Sequence, residues 1–350
     1  MLDKQQSRYV IYLIIAVLII AGVYAVLRPP APKPLPEQPE SAQEKEMPMP
    51  AVPKPPVKQE QPQPIPGVPK FNAAKYAREP VVKVAYVQKS RIESMPLEKY
   101  LEGVIAQEME PHWPLEALKA QAVVARTLSL SAMEAGTIRR LRNADVSTSK
   151  DELQAYAPEK VNAAVRQAVR ETRGQVLLYA GSLVNAIYSS CNGQIGATRE
   201  ESFPREIEHP TPYFQPVKDN CFEYAPENIR SWTVKVPGRE VAAAVGYSGD
   251  PANIKILEKG PSGRILYIGA GNQKVYGAEF RKSIGYERLK STLITDMSYA
   301  GGMFTFKGLG WGNGVGLCQW GAYTDAKQGK KAAEILKHYY QGVEIKKLWQ

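Results

Sequence analysis

Histidine and cysteine are scarce in this chain, with three of each in 350 residues. His112, His209 and His338 form no HExxH or HxxxH pair, and Cys191, Cys221 and Cys318 form no CxxC pair. The sequence therefore carries no motif for a catalytic metal centre. Walker loops and Rossmann fingerprints are also missing, which removes the usual signals for nucleotide and dinucleotide chemistry. Nothing supports a Ser-His-Asp triad, and no paired-carboxylate motif stands out. The formal net charge is +10, yet no basic helix with interleaved aromatics and no nucleic-acid motif is present. An anionic partner other than nucleic acid is expected.

Long apolar runs are confined to one place. Residues 9–27 hold no charge and no proline. A helix of that length spans about 28 Å, close to the hydrocarbon thickness of a bilayer. Its unbroken length favours an uncleaved single-pass anchor over a signal peptide, whose apolar core runs roughly 7–15 residues. Lys4 and Arg8 precede it, so residues 1–8 are expected in the cytoplasm and the remainder outside the cell membrane. Proline is just as unevenly spread: 15 of the 28 lie in residues 29–70. That stretch has no apolar period, so residues 28–71 read as a disordered tether and 72–350 as the folded domain.

Within 72–350 helices and strands mix without regular alternation, which points to α+β. Residues 81–87 alternate as an opening strand. Apolar periodicity predicts helices at 97–109, 114–135 and 162–171, and later at 277–284 and 319–340, with a break near Gly329. Strands are predicted on both sides of Ala180-Gly181-Ser182 and at 232–236, 254–257, 264–268 and 303–306.

One acid stands out. Glu108 follows Leu101 by seven residues, Val104 by four and Ile105 by three, which puts it on their apolar helical stripe. A carboxyl pressed against apolar neighbours loses hydration and its pKa rises, as a general acid near neutral pH requires. The same position also suits a helix-end glutamate paired with a cation. Glu98, Glu102 and Glu116 read as solvent-exposed. Lys119 and Arg126 share a face of the next helix, either as an ion-pair network or as a grip on polar sugar and carboxylate groups.

A second segment, GLGWGNGVGLCQWGAY at 308–323, alternates glycine at Gly308, Gly310, Gly312, Gly314 and Gly316. In an extended strand this bares one face to a close backbone or ligand. Trp311 and Trp320 can stack on sugar rings, while Asn313 and Gln319 both donate and accept hydrogen bonds. Packing of the tryptophans into a core is the alternative.

Four stretches in order resemble the SpoIID/LytB family of bacterial cell-wall proteins. PLEKYLEGVIAQEME, followed by WPLEALKAQAVVART, resembles its defining glutamate segment. NAIYSSCNGQIG at 185–196 resembles its strand and small-residue turn. GWGNGVGLCQWGAY resembles its GHGVGxSQWGA signature, and AAEILKHYYQGVEIKKL resembles its C-terminal end. The resemblance implies a SpoIID-like catalytic domain acting on peptidoglycan as a lytic transglycosylase. Glu108 would be the acid/base, and Lys119, Gln121, Arg126, Tyr188, Ser189, Trp311, Asn313, Gln319 and Trp320 would bind substrate. The family's amidase-enhancer branch implies an alternative, a glycan-binding partner of an N-acetylmuramoyl-L-alanine amidase. Asn313 stands where the family has histidine, and Cys318 where it often has serine. No cofactor is required for the implied reaction. For the cysteines the resemblance leaves three states open: a structural zinc held by Cys191, Cys221 and His209, a Cys191–Cys221 disulfide, or buried free thiols.

Overall fold

A computed structural model describes residues 62–205 and 208–350. The expected anchor at 9–27 lies outside the described residues. Among the described residues, no helix is long and apolar enough to cross a membrane.

The first half of the fold is organised by one long helix. A hairpin of β1 (Val81–Tyr86) and β2 (Arg91–Pro96) runs straight into α1 (Leu97–Glu108). Then α2 (Leu115–Ala135) follows after a sharp break. Pro111 and Pro114 cause that break, since neither can extend a helix. Twelve of the 21 residues of α2 are buried, and the other helices pack round it. It ends at Gly136, whose left-handed conformation (φ 65°) lets its N–H reach Ala132 and Met133 carbonyls. A short α3 (Thr137–Arg142) and β3 (Val146–Ser147) come next, the latter pairing parallel with β1. Asn162 then caps α4 (Ala163–Glu171) by accepting from the Val165 N–H at 2.9 Å.

Strands β4 (Gln175–Tyr179) and β5 (Ser182–Leu183) form the expected hairpin, turning through Ala180 and Gly181 at φ 47° and 83°. A two-residue strand β6 (Tyr188–Ser189) follows. A second hydrophobic core, centred on Trp232, Phe280, Phe304 and Phe306, belongs to residues 231–309. It is built from β7 (Ser231–Pro237), α5 (Gly238–Val245), β8 (Lys255–Lys259), β9 (Ile265–Ala270), β10 (Gln273–Tyr276), α6 (Gly277–Ile284), β11 (Ile294–Ala300) and β12 (Met303–Leu309). The strand orders are β11-β12-β7 and β10-β9-β8. This lobe leaves and rejoins the first at one point, where the Gly310 N–H donates to the Arg230 carbonyl at 3.0 Å.

The chain returns through β13 (Leu317–Cys318), which pairs parallel with β6. It finishes with α7 (Gln319–Lys327), α8 (Ala332–Tyr339) and β14 (Glu344–Lys347) on the edge of β4. The predicted C-terminal helix is thus two helices, parted at Gly329 (φ 91°). The mixed content is α+β as expected, and the described residues hold two large hydrophobic cores with a small satellite of Ala85, Ile138 and Ala144.

The tether boundary also needs correction. Residues 62–71 were assigned to a disordered linker on proline content, yet they lie against the domain. Ile65 is 8% exposed within the main core, Phe71 N–H donates to the Gly181 carbonyl at 2.9 Å, and Ser182 Oγ donates to the Pro69 carbonyl at 2.9 Å. Proline supplies no N–H donor, but its carbonyl still accepts, and Ile65, Val68 and Phe71 pack on the core and hold the strap.

Candidate active site

Glu108 is the last residue of α1, and Met109 already turns extended. Its side chain is half-buried. Oε1 accepts the Ala155 N–H at 2.7 Å, from a loop fastened to α1 by Ala157 N–H on the Gly103 carbonyl at 2.9 Å. Gly103 permits that contact, since a methyl there would collide with the Tyr156 ring. The Tyr188 hydroxyl and the Gln319 side-chain amide approach the same carboxyl, although Gln319 Nε2 stops short of a formed hydrogen bond. Burial raises the Glu108 pKa above the ordinary carboxyl range. The Ala155 N–H, Tyr188, Gln319 and the charge of exposed Lys150 oppose that rise without cancelling it.

Two strand residues bring these groups together. Tyr188 pairs with Leu317 and Ser189 with Cys318 in the parallel β6–β13 ladder, which sets Gln319 beside Tyr188. Tyr188 Oη also donates to Gln154 Oε1 at 3.4 Å, and Gln154 Nε2 donates to Ser129 Oγ at 3.0 Å, so the hydroxyl is tethered from behind. Beyond Gln319 lies an aromatic cluster. Trp320 packs on Trp113 with ring centroids 4.5 Å apart, both contact Tyr323, and Tyr323 meets Tyr224, which is 45% exposed.

Several expected substrate-binding residues are engaged elsewhere. Arg126 is fully buried and grips Glu98 through Nε–Oε1 at 3.0 Å and Nη2–Oε2 at 2.6 Å, while Nη1 donates to the Gln175 carbonyl. Glu98 additionally accepts from Gly174 N–H and Trp349 Nε1. This pair is a closed structural network, and Glu98, expected at the surface, is 6% exposed. Lys119 binds Glu116 at 3.0 Å and Glu171 at 2.9 Å, and Glu116 also takes the Ala332 N–H, so the lysine ties α2, α4 and α8 together. Arg126 is thus closed off from solvent, and Lys119 is engaged by two carboxylates. Gln121 is fully buried on α2, with both amide atoms lacking a hydrogen-bond partner.

Gly308 lies in β12, but beyond Leu309 the glycine-rich segment is not an extended strand. Gly310, Gly312, Gly314 and Gly316 have φ of 71°, 122°, 84° and 71°, conformations that favour glycine. Each also faces a close neighbour across the fold: an added methyl would strike the Cys191 carbonyl, Ser189 Oγ, the Arg264 guanidinium or the Ile187 carbonyl. Asn313 and Ser189 are braces within this packing. Asn313 Nδ2 donates to the Tyr188 carbonyl at 3.1 Å and its Oδ1 accepts the Val315 N–H at 2.7 Å. Ser189 Oγ accepts the Gly314 N–H at 3.1 Å. The Trp311 ring is covered by Lys290 Nζ at 4.5 Å.

The three cysteines converge, and His209 does not join them. All three sulfurs lie within 4.8 Å of one another, whereas the His209 ring lies against Gly67. A separate cavity of about 610 Å³, lined by Gln175, Lys337, Val343, Ile345 and Lys347, contains none of the Glu108 cluster. Sequence reasoning missed the Ala155 N–H, Gln154, Trp113, Tyr224 and Tyr323. Trp113 and Tyr323 stood within quoted motifs; Gln154, Ala155 and Tyr224 gave no local signal.

A family model described as "Stage II sporulation protein" matches residues 86–179, which span the Glu108 helix, α2 and β4. An uncharacterized protein of Brachyspira hyodysenteriae is 31% identical over 259 residues, covering 73% of this chain and 67% of that protein. The chain belongs to the SpoIID family. Within the family, Stage II sporulation protein D of Bacillus amyloliquefaciens is 29% identical over 276 residues, 75% of this chain and 78% of the relative. The amidase enhancer of Bacillus subtilis is 28% identical over 298 residues, 70% of this chain but 40% of the enhancer.

Proposed function

We propose that this SpoIID-family chain is a peptidoglycan lytic transglycosylase that cleaves the MurNAc–GlcNAc bond of stem-peptide-stripped glycan. The observation that carries this reading is the half-buried Glu108, whose carboxyl holds its proton above the ordinary range beside Tyr188 and Gln319. The protonated acid donates to the glycosidic oxygen as the C1–O bond breaks. The carboxylate formed accepts from the Ala155 N–H and the Tyr188 hydroxyl. It then takes the proton from the muramic C6 hydroxyl as that oxygen closes on C1, leaving a 1,6-anhydro end. One carboxyl serves both steps, unlike the paired carboxylates of most glycoside hydrolases. Trp320 and the half-exposed Tyr323–Tyr224 edge offer faces for sugar rings along the strand. In this reading the domain works on the outer side of the cell membrane, held by the N-terminal anchor.

The test compares the wild type with Glu108→Gln on intact and on amidase-stripped peptidoglycan, with products read by mass spectrometry. Anhydro-muramic ends from the wild type, reduced at least ~100-fold in the variant, are expected from the usual worth of a general acid–base group. Reducing ends would make the enzyme a hydrolase instead. The relative named amidase enhancer favours a second reading, a glycan-binding partner of an amidase. Retained glycan binding without any cleavage, and faster turnover by an added amidase, would select it.

A further inference from the structure

A stripped glycan strand brings a charge to Glu108 that an intact one does not. Once the stem peptide is removed, each muramoyl residue carries a free lactyl carboxylate on C3, where intact peptidoglycan has a neutral amide. That group hangs from the same ring whose C1 and C6 oxygen meet Glu108. After Glu108 has given up its proton, two carboxylates face each other across one sugar, and like charges so close repel. A cation at the rim of the site offsets that repulsion and favours the stripped strand.

Other cations around the site are already engaged. Arg126 is buried against Glu98, and Lys119 lies between Glu116 and Glu171. Lys160 is exposed beside the end of α1, but its Nζ donates to Gln107 Oε1 at 2.7 Å. Lys150 differs. It is exposed, its charge acts on the Glu108 carboxyl, and among the described residues it forms no ion pair. Glu152, two residues on, is taken by Arg142 and by Ser147 Oγ.

The loop that carries Lys150 is held at both ends. Thr148 N–H donates to the Ala85 carbonyl at 3.0 Å, and Leu153 N–H closes the turn on the Ser149 carbonyl at 2.9 Å. Gln154 fastens the far end to Ser129 of α2, and Ala155 and Ala157 fasten it to Glu108 and Gly103 of α1. One loop thus gives Glu108 a backbone N–H and presents an ammonium group five residues earlier. A pinned backbone leaves only the lysine side chain to be ordered when a ligand binds.

We propose that Lys150 binds the lactyl carboxylate of a stripped muramoyl residue at the Glu108 cluster and so sets a preference for stripped over intact glycan, an assignment that rests on the glycan-binding reading of that cluster. The contact is a charge-assisted N–H···O bond, which an amide in place of the carboxylate weakens.

The test uses the full-length chain in mild detergent and amidase-stripped glycan oligomers, with the lactyl carboxylates either free or capped as methyl amides. Capping removes the charge and adds little bulk, so the comparison reads charge and not stem-peptide size. Dissociation constants are measured on Glu108→Gln protein, so that binding is read without cleavage. The free-acid oligomer should bind ~10-fold tighter than the capped one, as a hydrogen bond to a charged group is worth, and the ratio should shrink as salt rises. Adding Lys150→Met should abolish the preference, adding Lys150→Arg should keep most of it, and adding Lys160→Met should leave it in place. With Glu108 restored, Lys150→Met should raise KM for the free-acid oligomer ~10-fold, with a smaller change in kcat. Absence of anhydro ends from the wild type would sink the transglycosylase reading, while a preference lost with Lys150→Met would still support this assignment. Equal binding of the two oligomers, or a preference that survives Lys150→Met, overturns it. So does a fall in kcat with the preference unchanged, which would make Lys150 a modulator of the Glu108 charge alone.

Discussion

Glu108 holds its proton more tightly in the folded chain than in the unfolded one, which ties its chemistry to stability. A raised folded-state pKa means that the native state binds more protons across the window between the unfolded and folded values. The stabilising effect is complete below the unfolded pKa and is lost as pH rises through the folded one. Urea unfolding of the wild type should therefore show stability falling from pH 4 upward relative to Glu108→Gln, whose amide carries no charge to desolvate. Parallel curves for the two proteins would contradict the burial of this carboxyl. The acid was legible in the sequence because its partners, Leu101, Val104 and Ile105, share its helix. For Arg126 and Lys119 the sequence left an ion-pair network and a grip on sugar both open, and it did not name their partners. Their partners include Glu98 on α1 and Glu171 on α4, and helix periodicity says nothing about which distant acid fills a socket. Glu98 had a readable clue, since it precedes Leu101 by three residues and Ile105 by seven and so lies on the same stripe.

At the scale of elements, the long periodic helices were readable and the two-residue strands were not. Helices α1, α2, α4 and α6 fall where apolar spacing puts them. Strands β3, β6 and β13 are too short to show alternation, yet β6 and β13 align the Tyr188 and Gln319 side chains. Alternating glycine suggested a bared strand because period two is the strand's signature. Here the repeat instead reflects recurrent positive φ together with close approach to residues 187–193 and Arg264. Gly316→Ala tests this. It meets both a left-handed φ of 71° and the Ile187 carbonyl. A loss exceeding ~1 kcal/mol is expected in chemical denaturation, with a weakened near-ultraviolet signal from the Trp113–Trp320 pair. Gly329→Ala serves as a comparison: its φ is 91° but nothing lies within 4 Å, so it should carry backbone strain without the collision and cost less.

At the scale of the whole molecule, two hydrophobic cores share one buried hinge of polar contacts. The second lobe presents Arg264 and Ser262 to the first. Arg264 bonds the carbonyls of Asn192 and Ile195, and Ser262 bonds Glu201 through both its N–H and its hydroxyl. Nothing in local sequence marks an arginine beside a strand as an interlobe pin, and the second lobe's separate core is invisible to periodicity. Its consequence is cooperative unfolding of the two lobes. Arg264→Ala leaves the Asn192 and Ile195 carbonyls unpaired, while the Ser262 hydroxyl keeps its bond to Glu201; each orphaned carbonyl is worth ~1–3 kcal/mol. The summed loss should exceed ~2 kcal/mol, measured by chemical denaturation. The variant should also separate the lobes thermally. Calorimetry is expected to show one transition for the wild type and two for Arg264→Ala, with the residue 231–309 lobe unfolding on its own. A single transition merely shifted to lower temperature would place the coupling in the Arg230–Gly310 crossing and the strands beside it.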